Sequence, residues 1–166
     1  KITKTRKKIK NLNFNKPLIM GILNVTPDSF SDGGEFLSVN DAFAQYKKLK
    51  KEGAAIVDVG GESTRPGSKT VPAKKELQRI MPVIDQIKSN SKNSLVSVDT
   101  RKSTVMKAVM KYNIDFINDV SGLRYDSKSI SFLNNAKIPF IIMHSISNPA
   151  KMQKSIKYKD VLLDVY

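Results

Sequence analysis

The stretch Leu18-Ile-Met-Gly-Ile-Leu-Asn-Val-Thr-Pro-Asp-Ser-Phe-Ser-Asp-Gly-Gly34 joins an apolar run directly to a polar loop. The run Leu18–Val25 is almost continuously apolar, which is typical of a strand that is buried on both faces of a parallel sheet. The loop from Asn24 to Gly34 contains a proline that stiffens it and glycines that let it bend towards a ligand. This stretch therefore predicts a buried strand that ends in a functional loop.

The same transition recurs along the chain, because four more short apolar runs follow at Ala54–Val59, Leu95–Val98, Asp115–Val120 and Pro139–Met143. The segments between them have apolar residues at helical spacing, as in Asp41–Lys51. Asn40 or Asp41 could cap that helix, and Gly53 stands after its end. Five strand–loop–helix units predict a parallel sheet with right-handed crossovers, either doubly wound or closed as a barrel.

The barrel is favoured because neither a Gly-x-Gly-x-x-Gly sequence nor a Walker sequence follows any of these runs. We therefore predict an α/β fold, a (β/α)8 TIM-type barrel of which this chain supplies about five β/α units. A complete barrel takes about 250 residues, so the expected barrel domain, residues 17–166, is incomplete at its C-terminus. Residues 1–16 form a basic lead-in, with at most a short strand at Leu12–Phe14.

Composition narrows the classes of partner. The net charge is +14, and a positive electrostatic potential attracts nucleic acids and small anionic substrates alike. Lys outnumbers Arg by 24 to 5, whereas nucleic-acid recognition favours Arg. No apolar stretch approaches the ~20 residues that cross a bilayer. The chain has no cysteine, which fits the reducing cytoplasm. We expect a cytoplasmic protein that binds small molecules and neither nucleic acid nor membrane.

Polar side chains gather where each predicted strand ends, which is where barrel enzymes build their active sites. The segments concerned are Asn24–Gly34, Gly60–Gly67, Asp99–Arg101, Asn118–Asp119 and Met143–His144. Asp99 and Asn118 on neighbouring strands suit a flat heterocycle such as a 2-amino-4-oxopyrimidine, with Met143 against the ring. Taken singly, Asp99 could instead cap the following helix, Asn118 could bond the backbone, and Met143 could be core.

Four motifs resemble dihydropteroate synthases of the pterin-binding barrel family. They are Met20–Gly34 and Asp58–Gly67, which are long and specific, and the shorter Ser97-Val-Asp-Thr100 and Ile117-Asn-Asp-Val120. The match runs in order from Leu18 to His144. The resemblance implies a transferase of folate biosynthesis, the sulfonamide target, which condenses 4-aminobenzoate with a dihydropterin methyl diphosphate and releases 7,8-dihydropteroate and diphosphate.

The resemblance also implies the roles of individual residues. Asn24 would hold Mg2+ and the diphosphate, and Asp32 and Arg65 would act at the reacting centre. Asp99, Asn118, Val120 and Met143 would form the pterin pocket. The 4-aminobenzoate pocket and its loops would contain Phe30, Thr64, Arg65 and Pro66. A complete barrel would form a homodimer. Further family residues, an Asp, a Lys and an Arg/His pair, have no match within these 166 residues, so we expect this segment alone to be inactive.

Two other functions are compatible with part of this sequence pattern. A related pterin-binding methyltransferase would share the Asp and Asn pocket but would not need the Phe30 and Arg65 loops. A non-catalytic barrel that binds pterin or a partner subunit would not need them either. His144 is expected to be structural, and Arg101 and Lys102 to face solvent or begin a helix. Glu62 is expected to anchor the second loop.

Overall fold

The computed structural model describes residues 9–10, 12–26, 39–63, 68–144 and 157–165. Strands and helices alternate in it along the chain, as the sequence predicts. The strands are β1 (Met20–Asn24), β2 (Ile56–Gly60), β3 (Leu95–Asp99), β4 (Phe116–Asp119) and β5 (Phe140–Ile142). The helices are α1 (Val39–Lys51), α2 (Ala73–Asn90), α3 (Ser103–Val109), α4 (Lys128–Ala136) and α5 (Val161–Val165), and a short 3-10 turn, Met110–Tyr112, extends α3.

The five strands form one parallel sheet in the order β1-β2-β3-β4-β5. A doubly wound sheet reverses its strand order at a switch point, whereas a barrel adds each strand beside the last. The observed order is therefore that of a barrel, and the prediction of about five adjacent β/α units is confirmed.

The hydrophobic core lies between the sheet and its helices. One face of the central strands is fully buried there, through Val57, Val59, Val96, Val98 and Ile117. The second helix covers it with an apolar stripe that the sequence predicted, including Ile80, Ile84 and Ile87 at 0% exposure. Because side chains alternate along a strand, the opposite face contains the other residues of each strand, and these include most of the candidate site.

Two local predictions are wrong. Helix α1 begins at Val39, so Asn40 and Asp41 lie in its first turn instead of capping it. Residues 12–14 form no strand in the structure. The alternative that Asp99 caps α3 also fails, because the N-cap residue of that helix is Lys102, whose side chain makes no capping hydrogen bond. Gly53 does end α1 as predicted, with a left-handed φ of 102°. Among the described helices none is long and apolar enough to span a membrane.

Candidate functional site

A row of residues crosses the carboxyl end of the sheet at one level. The register pairs Asn24 with Gly60, Gly60 with Asp99, and Asp99 with Asn118. Neighbouring parallel strands lie about 4.8 Å apart, so paired side chains on one face are direct neighbours. The structure therefore brings together the strand-end residues Asn24, Asp99 and Asn118, which the sequence predicted separately.

The Asp99 carboxyl group has an unusual environment. Burial, and then the nearby negative charges of Asp58, Glu76, Asp119 and Glu62, raise its pKa from 3.8 to about 7. Such a carboxylate favours any ligand that brings N–H donors or positive charge to it. This is the chemistry required for binding the amino-substituted edge of a heterocycle.

A gap lies between Asn24 and Asp99, because the residue between them is a glycine. A Cβ atom at position 60 would lie 3.4 Å from Asn24 Oδ1 and 3.6 Å from Asp99 Oδ2. A Cβ atom there would be in ordinary van der Waals contact with both polar groups, so only a larger side chain would fill the space between them. The glycine leaves the exposed Asn24 side chain open to a ligand.

A second row lies one layer deeper, with Asp58 paired to Ser97. Asp58 is 4% exposed, and its Oδ2 accepts a hydrogen bond from Asn118 Nδ2 at 2.8 Å. Burial raises the pKa of Asp58, and the Ser97 hydroxyl and the Asn118 amide partly offset that effect. No role for Asp58 is predicted from the sequence, although a carboxylate inside an otherwise apolar strand is a signal for one.

Glu62 anchors the second loop, as the sequence predicts. Its Oε1 accepts from the backbone N–H of Val71 at 2.7 Å, which ties the two ends of the segment 62–71 together. Arg101 binds the same carboxylate through Nε and Nη2, both at 3.1 Å. Burial raises the pKa of Glu62, but the hydrogen bonds from Arg101 and Lys102 outweigh it and hold the pKa below its usual value.

The prediction that Arg101 and Lys102 stand at a helix start is confirmed, since Lys102 is the N-cap residue of α3, but the alternative that they face solvent is wrong. Lys102 is buried at 7% exposure, and its ammonium lies 2.7 Å from Glu62 Oε2 and 2.6 Å from Glu76 Oε2. The Arg101 guanidinium lies 4.0 Å from the centre of the Tyr125 ring. Buried charges persist only when they are paired, so these contacts explain the burial. Together, Glu62, Glu76, Arg101 and Lys102 form a cluster that we call the loop-base cluster.

Gly61 lets the loop base approach helix α2. A Cβ atom there would lie 2.8 Å from Ile80 Cγ2 and 3.1 Å from the backbone oxygen of Glu76. The side chain of Arg79 also donates to the Gly61 carbonyl oxygen at 2.7 Å, which holds that backbone in place.

Gly61→Ala is expected to lower the free energy of unfolding by about 1–3 kcal/mol, because the methyl group overpacks against backbone that cannot move away. Urea denaturation measures this loss. Asp85→Ala, on the exposed side of the same helix, is the control and should change it by no more than about 0.5 kcal/mol. Equal stability of the two variants would contradict the close packing at Gly61.

The other predicted site residues divide into two groups. Val120 and Met143 are half-buried, beyond the ends of β4 and β5, and Met143 N donates to the Asp119 carbonyl oxygen at 3.2 Å. Their contact with a pterin stays a prediction. The remaining five lie outside the described residues: Phe30, Asp32, Thr64, Arg65 and Pro66. His144 is exposed, with its ring 5.8 Å from that of Tyr158, which is compatible with a structural role.

The described part of the chain has no group of three or more His, Cys, Asp or Glu side chains that could hold a metal ion. A metal at this site would therefore depend on few protein ligands. Mg2+ accepts such an arrangement, since it commonly keeps several waters and binds substrate phosphates beside one or two protein oxygens. The open Asn24 amide beside Gly60 fits that requirement.

Comparison with known proteins agrees with this geometry. Residues 20–166 match the family described as pterin binding enzymes. A dihydropteroate synthase of Synechocystis is 41% identical over 144 residues, which are 87% of this chain and 50% of that protein. The chain thus spans about half the length of this curated relative.

Solved structures give the same result. The dihydropteroate synthase of Yersinia pestis, in a sulfonamide complex, superposes with a TM-score of 0.83 and 34% identity over 95% of this chain and 57% of that one. The Xanthomonas albilineans dihydropteroate synthase with 4-aminobenzoic acid superposes with a TM-score of 0.77. It is 39% identical, and the match covers 92% of this chain and 53% of that one. With the family match over most of its length and the polar row at the strand ends, this chain belongs to the pterin binding enzyme family.

Proposed function

We propose that the protein acts as a dihydropteroate synthase, a transferase that joins 4-aminobenzoate to a dihydropterin methyl diphosphate in folate biosynthesis. The observation that carries this proposal is the pairing of Asp99 with Asn118 at the carboxyl end of the sheet. The relative from Synechocystis and the solved structures, which have this activity in their names, support it.

The pterin ring fits the polar row by its hydrogen-bonding pattern. A carboxylate accepts hydrogen bonds, and the 2-amino-4-oxo edge of a pterin offers a ring N–H and an exocyclic amine side by side. The pKa of Asp99, raised to about 7 by burial and by neighbouring carboxylates, means that an N–H donor there relieves an unfavourable charge. The reactive methylene is attached to the other ring of the pterin, so with the amino edge on Asp99 we place it away from Asp99, towards Asn24 and the first loop.

The reaction we propose is a substitution at that methylene. Its carbon–oxygen bond breaks, and diphosphate leaves with the electron pair, so positive charge develops on the methylene and spreads into the ring. The carboxylates of Asp99 and Asp32 stabilise this charge, and the loops that contain Phe30 and Arg65 exclude water. The neutral aromatic amine then forms the carbon–nitrogen bond and loses a proton to solvent, so no strong base is required.

Mg2+ is the cofactor that we propose for this site. Asn24 would supply its one protein oxygen, with diphosphate oxygens and water completing the shell. Bound there, Mg2+ would neutralise the charge of the leaving diphosphate. We further propose a cytoplasmic location, which the cysteine-free sequence suits, and a homodimer for the complete barrel.

Calorimetry with the full-length protein that contains this chain tests the proposal. We expect the dihydropterin methyl diphosphate to bind in the presence of Mg2+, and 4-aminobenzoate to bind only when diphosphate and Mg2+ are already present. Formation of 7,8-dihydropteroate should follow when both substrates are supplied. Binding of a reduced folate with no turnover of aminobenzoate would point to a methyltransferase instead and would overturn the proposal.

A further inference from the structure

Asp58 is a buried carboxylate beneath the polar row, and the proposed reaction does not use it. It lies two residues before Gly60 on β2, on the same face of the sheet, and is 4% exposed. Its Oδ2 accepts from Asn118 Nδ2 at 2.8 Å, and the Ser97 hydroxyl, its other polar neighbour, partly offsets the cost of its burial. A buried acid is costly, so its presence here needs a reason.

The contact with Asp58 determines the orientation of the Asn118 side chain. An amide has a donor end and an acceptor end, and rotation by 180° about its terminal bond exchanges them. A carboxylate oxygen that accepts a hydrogen bond selects the donor end. If the amide rotated, two oxygens would face each other at 2.8 Å inside a low-dielectric site. Nδ2 therefore stays on Asp58, and Oδ1 is directed away from it.

Asn118 and Asp99 are paired in the register on the same face of the sheet, so an amide held in this way has its oxygen available to a ligand that also contacts the Asp99 carboxylate. We propose that Asp58 is a positioning residue for substrate specificity, which fixes the Asn118 amide so that two acceptors face the amino-substituted edge of the pterin. The inference rests on the proposed function, since it assigns a role within the same pocket.

The consequence is selectivity for a 2-amino ring over its 2-oxo counterpart. A pterin offers an amine to the Asn118 oxygen, and 2,4-dioxopteridine offers a carbonyl oxygen that this acceptor repels. A freely rotating amide would turn its N–H to the carbonyl and accept either ring. Selectivity of this kind comes from polar groups that the wrong ligand leaves unpaired.

The test measures the affinities of pterin and 2,4-dioxopteridine by calorimetry for the full-length protein and for Asp58→Asn. The variant has nearly the same shape, but its amide can accept from Asn118 or donate to it. We expect the preference for pterin to fall about 10-fold, the effect of losing one hydrogen bond to a charged group. Ser97→Ala is the matched control: it alters the other neighbour of Asp58 and should keep the wild-type preference.

Asp58→Ser provides a second variant, since its hydroxyl also both donates and accepts, and the same loss of preference is expected. Equal weakening of both ligands in the folded variants, or an unchanged preference, would overturn the inference and leave the proposed function in place. If the wild-type protein binds pterin no better than 2,4-dioxopteridine, the inference fails at once. If it binds neither ring, the proposed function fails as well.

Discussion

Asp99→Asn is expected to weaken pterin binding by about 10- to 100-fold and to stabilise the ligand-free protein at pH 8. The loss of affinity follows because hydrogen bonds to a charged partner contribute about 1.5–3 kcal/mol each. The gain in stability follows from the buried environment, in which the ionised Asp99 faces other carboxylates. One substitution thus acts in opposite directions on binding and on folding, as expected where a site is built for a ligand.

The pH dependence follows from the direction of the shift. Asp99 has a pKa of about 7 in the folded state, against an ordinary value of 3.8, so between these two pH values the folded state holds more protons than the unfolded state. Stability from this group is therefore fully present below pH 4 and is lost as the pH rises through 7. Thermal melts of the ligand-free protein at pH 5 and pH 8 should show that Asp99→Asn removes this part of the decline.

Asp85→Asn serves as the control for the change of charge, because Asp85 is an exposed carboxylate on α2 outside the polar row. It should leave pterin affinity unchanged and should not flatten the pH profile. If Asp99→Asn destabilised the protein equally at both pH values, Asp99 would instead be held by favourable contacts within the fold. Its place as a ligand-binding carboxylate would then be contradicted.

The fold and the polar row were predictable from sequence because each depends on local patterns. Near-continuous apolar runs locate the strands, and parallel order alone aligns their carboxyl ends. The predicted burial on both faces is correct for β2 but wrong for β1, where Ile22 is 64% exposed, and for β5, which is exposed throughout. Asp99 and Asn118 could therefore be placed side by side before any coordinates, and the register confirms that placement. The resemblance of the long motifs around Asn24 and Gly60 to a known family added the chemistry.

The charges within the structure could not be predicted in the same way. Lys102 follows a strand end and looks like any solvent-facing lysine, and Glu76 lies in a polar stretch of α2 with two lysines before it. Their pairing spans 26 residues and depends on how α2 packs against the end of β3. Burial of a charge is a property of tertiary packing, so residues such as Asp58, Glu76 and Lys102 needed the structure.

Lys102→Met is expected to lower the free energy of unfolding by about 3–5 kcal/mol, the usual cost of removing one partner of a buried ion pair. Methionine has a similar length and fills the space, so the loss comes from charge. Without the ammonium, Glu76, which is 0% exposed, loses the cation that lies 2.6 Å from it. Glu62 loses one of its two cations and retains its ion pair with Arg101. Urea denaturation of the variant and of the exposed control Lys107→Met measures the difference.

A second substitution, Glu76→Gln, distinguishes the effect of the Lys102 charge on stability from the effect of its packing. In the Glu76→Gln background, Lys102→Met should cost clearly less than in the wild type, because the buried carboxylate that needs the ammonium is gone. The difference between the two costs is the coupling between Lys102 and Glu76. Equal costs in both backgrounds would mean that the lysine acts by packing alone. A coupling of several kcal/mol would instead show that Lys102 and Glu76 stabilise the fold through charge. The same ammonium also contacts Glu62, which accepts from the backbone N–H of Val71, so it supports the base of the second loop as well.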